Sequence, residues 1–311
     1  MTGHTPLADT PVIDYEGSQY KTNFWEGQGR NYEDAVERLV LNQLLPKRGP
    51  RIAEIGAGFG RLAKLYLGYD QIILFDYSRT LLQDAVKQWG NDPRFVFVAG
   101  NIYQLPLASN LLDSLVMVRA MHHLANVPLA LTQIQRVLHR QSVAVLEYAN
   151  KRNLKSLLRW VLRRQAWSPM DQQPVEFVKL NFDFHPDWMT KRFADVNLQI
   201  DAQRAVSHFR APFLKKYIET NKLARADSLL FKPGGFYPLA PSVFVQLSAP
   251  DAPTRVEVPT TTDALGQLFC CPNCTHEGLE MVAKEQLRCG NCGTKYLQKA
   301  GIWDFKEAIT A

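Results

Sequence analysis

Residues 51–61, RIAEIGAGFGR, constrain this chain more than any other stretch. Residues 51–55 have the length and branched apolar content of a buried strand. Gly56, Gly58 and Gly60 then make a turn that side chains would obstruct, and residues 62–69 read as a helix. A glycine-rich turn between strand and helix lets the backbone approach a ligand and aims free N–H groups at it. A dinucleotide-binding loop places its third glycine three positions after the second, where this chain has Arg61. Glu54, two residues before Gly56, disfavours a pyrophosphate and suits a cationic ligand.

Residues 71–75 form a second buried-strand pattern that ends at Asp76. An acidic side chain at the tip of the second strand is placed to accept hydrogen bonds from two ribose hydroxyls. Further strand patterns lie at 95–98, 114–118 and 142–147, the last fed by a helical pattern over 128–138. The order EIGAGFG, LFDYS, GNIYQLPL, LLDSLVMVRAMHHL and IQRVLHRQSVAVLEY resembles the run of motifs in class I S-adenosylmethionine-dependent methyltransferases. That large group acts on small molecules, quinone precursors and some RNAs. The resemblance covers roughly residues 25–248. It implies an α/β fold with a Rossmann-like, seven-stranded, mostly parallel sheet and helices on both faces.

By that resemblance, Glu54, Gly56, Ala57, Gly58 and Gly60 would form the loop around the methionine half of the cofactor. Asp76 and Tyr77 would hold the ribose side. Asn101 stands where relatives usually carry an Asp facing the adenine amino group, and its carbonyl oxygen can still accept that bond. Ile102 would pack on the ring. Arg30 and Arg119 can each meet the cofactor carboxylate, and the sequence does not choose between them.

Residues 1–248 are thus expected to form the methyltransferase domain, with cap insertions at about 150–186 and 208–241. Edge strands at 198–206 and 242–247 should pair antiparallel. No run approaches the ~18 apolar residues of a membrane span and no charged-then-apolar leader pattern is present, so a cytoplasmic protein is expected. The net charge of +6 is local. Residues 151–250 carry sixteen basic and eight acidic side chains, whereas residues 1–150 carry fourteen of each.

The Pro- and Thr-rich residues 249–266 read as a linker to a zinc ribbon at 267–308. Cys271, Cys274, Cys289 and Cys292 form two C-x-x-C knuckles separated by 14 residues. Two such knuckles on a hairpin complete a tetrahedral thiolate site, which leaves a structural zinc no open position for catalysis. Cys270 is left over as a spectator thiol, and His276 stands outside a shell already filled by cysteines. The tail resembles small bacterial zinc ribbons and the ribbon-bearing activator subunits of some methyltransferases. A ribbon on such a linker is expected to fold by itself, with metal-binding energy serving as folding energy.

Methyl transfer from a sulfonium needs an in-line acceptor and a dry pocket, and a base only when the acceptor must lose a proton. His122 and His123, just past the fourth strand, either serve that chemistry or build the loop around the cofactor. Asp183 and His185, in NFDFHP, either face the substrate or cap the helix near Pro186. Glu147 is a further candidate base. Tyr15, Tyr20 and Trp25 are placed either to close over the cofactor or to join the core.

Residues 151–164, KRNLKSLLRWVLRR, carry six positive charges and no negative ones, with leucines on one helical face. Such a helix can be a lid packed on the domain, lie on anionic lipid, or grip a phosphate backbone. These readings point to methylation of a small or lipophilic acceptor. The alternatives are an RNA or ribosome-associated protein acceptor, held by the ribbon and basic helix, and a cofactor-binding module without catalysis.

Overall fold

The computed structural model describes residues 10–17, 29–260 and 262–309; Tyr20 and Trp25 lie outside the described residues. The centre of the fold is β1 (Gly49–Ile55), flanked by β2 (Tyr69–Asp76) on one side and β4 (Leu112–Met117) on the other. Ile52, Ala53 and Ile55 are fully buried, because a strand covered on both faces has no wet side. β3 (Phe95–Ala99) pairs with β2 and β5 (Leu138–Ala149) with β4, all parallel. β9 (Ser242–Ser248) then joins β5 antiparallel, and β8 (Gln199–Val206) joins β9 antiparallel. These seven strands are the expected mostly parallel sheet.

α1 (Asn31–Leu44) and α7 (Thr220–Phe236) cover one face, joined by Leu82 and Ala85 of α2 (Arg79–Trp89). α3 (Val127–Val137) and α5 (Pro186–Asp195) cover the other. The insertions hold α4 (Leu154–Val161) and a hairpin of β6 (Val175–Val178) and β7 (Asn181–Asp183), then α6 (Pro212–Tyr217) before α7.

Two expectations are corrected. Residues 62–69 form no α-helix; a single 3-10 turn, Ala63–Tyr66, leads straight into β2. The chain must turn back at once, because Tyr69 pairs with Gly49, and a Cβ on Gly68 would stand 2.1 Å from the Lys47 carbonyl oxygen.

The ribbon is also no separate body on a free linker. Its strands β10 (Glu280–Ala283), β11 (Gln286–Arg288), β12 (Lys295–Lys299) and β13 (Ile302–Ile309) pair antiparallel in sequence. β13 then pairs parallel with β3, Trp303 opposite Val98, so one sheet of eleven strands results. Trp303, Phe269 and Leu268 merge with Leu105 and Leu107 in a single core. The presumed linker is fastened along the domain: Val256 N donates to Asn110 O (3.0 Å), and Arg51 Nη2 to Val258 O (3.0 Å). An unpaired β3 would leave an open edge, and pairing it buries more apolar surface than a detached ribbon could.

Candidate active site

The glycine turn after β1 has the backbone its residues allow: Gly56, Gly58 and Gly60 sit at φ +76°, +54° and +73°. A Cβ on Gly56 would lie 2.6 Å from that of Ala120. The loop is tied to β2 rather than left open. Gly56 N and Ala57 N both donate to Phe75 O (2.8 and 3.0 Å), and Gly58 N donates to Asp76 Oδ2 (2.7 Å). The expected fan of free N–H donors is therefore largely satisfied inside the fold, which weakens the turn as an anion cradle and fits a ligand that is not a pyrophosphate.

A cavity opens beside this turn at the C-terminal ends of the parallel strands. Gly56, Gly58, Asp76, Tyr77, Ile102, Arg119 and His123 line it, joined by Tyr15 from the N-terminal segment. Phe75, Tyr103, Met117 and Leu124 add an apolar wall that the sequence reading missed; Tyr103, next to Ile102 in GNIYQLP, carried a usable signal. Asn101 is not among the lining residues, and its Oδ1 accepts from Tyr103 N (3.0 Å) to start a 3-10 turn. Gly60 faces Ala85 and Trp89 of α2, so it serves packing.

Glu54 and Ala57 line a second recess on the α1 side of the same loop, with Arg61 and Arg119. Burial pushes the Glu54 carboxyl up to about 8, with Arg61 acting the other way, and its buried Oε2 has no hydrogen-bond partner among the described residues. Nearby, Glu37 of α1 takes Arg61 Nη2 (2.6 Å) on one oxygen and Arg119 Nε (2.6 Å) on the other. Burial raises the Glu37 carboxyl, but Arg119 and Arg61 outweigh it and hold it below its ordinary value. Arg119, at φ +56°, is thus ion-paired before any ligand carboxylate arrives. Arg30 occupies the N-cap position of α1.

His122 and His123 occupy a 3-10 turn after β4, ring centres 3.9 Å apart. His123 Nδ1 faces Leu180 O (3.1 Å), so Nδ1 carries the proton and Nε2 accepts from Tyr15 OH (3.0 Å). That pairing joins the β6–β7 hairpin and the N-terminal segment to the cavity. Burial, then His123 and the Arg119 and Arg210 charges, push His122 well below its ordinary value, so it is neutral. Glu147 is already occupied, by Arg119 N (2.9 Å) and Ser242 Oγ (2.5 Å). Burial, with Glu147 next, pushes Asp183 up to about 6. His185 is buried as the N-cap of α5, its Nδ1 accepting from Asp187 N (3.2 Å), and does not line the cavity.

The ribbon reaches this site. Asp304 of β13 accepts from Arg79 Nε (2.9 Å) at the start of α2, and Lys306 Nζ lies 3.8 Å from the ring centre of Tyr77. Lys306 also approaches Glu16 (3.7 Å), whose carboxylate accepts from Arg79 N and Thr80 N (2.9 and 3.1 Å). In the ribbon, the sulfurs of Cys271, Cys274, Cys289 and Cys292 all lie within 4.8 Å of one another, with close pairs at 3.7 and 3.5 Å. Four thiolates at about 2.3 Å from a tetrahedral zinc would stand about 3.8 Å apart, so the cluster suits a metal of that kind.

Residues 53–146, from β1 into β5, match the family described as methyltransferase domain. No curated protein sequence matches the chain. Among solved structures it is similar to a chain of the complex between the Haloferax volcanii Trm112 methyltransferase activator and a methyltransferase, at 16% identity and a TM-score of 0.52, covering 75% of this chain and 98% of that one. It is also similar to an S-adenosylmethionine-dependent methyltransferase from Thermotoga maritima (16% identity, TM-score 0.51, 73% and 95% covered). One from Mesorhizobium loti agrees at 14% identity and 0.50, with 70% and 99% covered. Residues 53–146 thus carry a methyltransferase domain, and the fold of the chain is that of these S-adenosylmethionine-dependent methyltransferases. No helix among the described residues is long and apolar enough to cross a membrane.

Proposed function

We propose that this enzyme moves the methyl group of S-adenosylmethionine to a small lipophilic acceptor taken from an anionic membrane surface. The observation that carries the acceptor class is the outward apolar face of α4. Leu154, Leu158, Val161 and the following Leu162 are 55%, 54%, 69% and 60% exposed, so α4 is not a lid sealed onto the domain. Phe177 and Val178, near the tip of the hairpin that touches His123, are also exposed. Lys155, Arg159, Arg163 and Arg164, all exposed, border this surface, which suits anionic headgroups; Lys151 and Arg152 are buried, and Lys151 is paired with Asp171.

Wild-type protein should sediment with phosphatidylglycerol vesicles and not with phosphatidylcholine vesicles, and Leu158→Glu with Val161→Glu should lose at least tenfold in partitioning. Equal binding to both vesicle types would contradict the surface assignment. Salt-sensitive binding to single-stranded RNA with no vesicle binding would favour an RNA acceptor instead.

For the cofactor, Asp76 is assigned to the ribose, Phe75, Ile102 and Tyr103 to the adenine, and Glu54 to the cationic methionine end. Glu54 gives a proton-linked test. Its carboxyl titrates higher in the folded chain (about 8) than its ordinary 4.5, so the folded state holds the extra proton and the Glu54 contribution to stability declines as pH rises across that window. A cation bound beside it favours the ionised form. S-adenosylmethionine binding near pH 7 should therefore release close to one proton, read by calorimetry in buffers of different ionisation enthalpy. Glu54→Gln should abolish that release; release undiminished in the mutant would remove Glu54 from the site.

We assign a structural zinc to Cys271, Cys274, Cys289 and Cys292. We assign His122, His123 and Asp183 to the acceptor side, with His123 in the cavity wall and Asp183 the group best tuned to take a proton near neutral pH. The activator in the Haloferax complex is a separate chain; here the ribbon, fused to the domain, is assigned a supporting role in cis.

A further inference from the structure

The loop between β8 and α6 is held more firmly than a surface connection needs. Asp227 of α7, fully buried, accepts from Ser207 N (2.9 Å), His208 Nδ1 (2.5 Å) and Tyr32 OH (2.6 Å). Tyr32 in turn accepts from Phe209 N (3.0 Å), and Ser207 is forced to φ +71°. A left-handed serine costs about 1–3 kcal/mol and persists only where surroundings over-determine it. The residue this arrangement delivers is Arg210.

Arg210 has a buried Nε with no partner, and it forms no hydrogen bond or ion pair among the described residues. Its neighbours are spoken for: Arg119 is paired with Glu37, and both oxygens of Glu147 are taken. Strand register places the loop at the right end of the sheet. Val206 lies opposite Ser242, and Ser242 opposite Ala149, so Arg210 leaves the sheet beside Glu147 and the turn that carries His122. The Arg210 charge helps to push His122 down and works against the rise at Asp183, so it lies near both, behind His123 of the cavity lining.

We infer that Arg210 is the anchor for a carboxylate on the methyl acceptor, an assignment that rests on the methyltransferase reading above. A guanidinium stays charged at any physiological pH, and leaving its Nε buried without a partner is costly even where the rest of the side chain is only partly covered. A carboxylate entering with the acceptor supplies the missing partner in a forked, two-bond geometry that also fixes orientation. The acceptor is then amphiphilic, with an apolar body that suits the exposed α4 surface and one anionic end.

Benzoate, benzyl alcohol and inorganic phosphate serve as probes, titrated by saturation-transfer NMR with and without S-adenosylhomocysteine. Wild type should bind benzoate at least tenfold more tightly than benzyl alcohol. Arg210→Met should lose that preference, and Arg210→Lys should recover part of it. Arg210→Met without probe should melt no lower than wild type, because it removes a buried Nε that has no partner among the described residues. Equal benzoate binding in Arg210→Met, binding of phosphate rather than benzoate, no preference in wild type, or a clearly lowered melting temperature in Arg210→Met would each overturn the assignment. S-adenosylhomocysteine affinity, read on the same samples, should be equal in all three proteins, and its absence throughout would instead count against the methyltransferase reading.

Discussion

Truncation after Ser248 is expected to abolish cofactor binding and to leave a chain that aggregates. The cut would strip β13 from β3 and remove Trp303, Phe269 and Leu268 from the core shared with Leu105 and Leu107. Each fully buried side chain of that size is worth about 1.5–3 kcal/mol, and a domain's whole stability is only about 5–15 kcal/mol. The cofactor wall loses its support as well, because Lys306 no longer faces Tyr77 and Asp304 no longer holds Arg79. A milder test keeps the chain whole. Stripping the metal with a strong chelator, or Cys289→Ser with Cys292→Ser, should loosen the ribbon and weaken S-adenosylhomocysteine binding at least tenfold. Lys306→Ala should weaken it less, with the metal retained. A metal-free chain that binds with undiminished affinity would show the ribbon to be a passenger.

Gly56→Ala should be equally damaging from the other side of the site. The substitution asks a side chain to adopt φ +76° and drives its Cβ to 2.6 Å from that of Ala120. Left-handed strain and overpacking together cost roughly 2–5 kcal/mol, and the turn can escape only by moving away from Phe75 O and Asp76. Affinity for S-adenosylhomocysteine should drop more than a hundredfold, with a lowered melting temperature. Gly58→Ala is the internal control: its added Cβ meets only Leu81 at 3.9 Å, so strain acts without a clash and the loss should be smaller. Wild-type affinity in Gly56→Ala would mean that the turn does not shape the site.

What was readable in advance was local. The glycine turn, Asp76 at its strand tip and the paired cysteine knuckles each declare themselves within a few residues, because backbone freedom and ligand spacing are short-range properties. The seven-stranded, mostly parallel sheet was implied by the family resemblance that the succession of such segments carries. Long-range partners were not readable. Nothing in GIWDF says that it will pair with a strand two hundred residues earlier, and the Pro- and Thr-rich stretch before the ribbon has the composition of a linker while being fastened by its backbone. Periodicity showed that α4 has an apolar face without showing that the face points outward. Arg210 looked like one more cation in a basic insertion, since its distinction lies in what fails to pair with it. The Glu37 bridge to Arg61 and Arg119 was hidden for the same reason, as α1 reads only as an amphipathic helix.

The central claim is that the cavity beside Gly56 and Asp76 takes S-adenosylmethionine, with the ribbon as part of its frame. Calorimetric titration of the zinc-loaded, full-length chain with S-adenosylmethionine tests it most directly, with NAD as the competing ligand. One site per chain with micromolar affinity, at least tenfold weaker in Asp76→Ala, and no heat from NAD are the expected results. No binding of S-adenosylmethionine, or binding indifferent to Asp76, would contradict it.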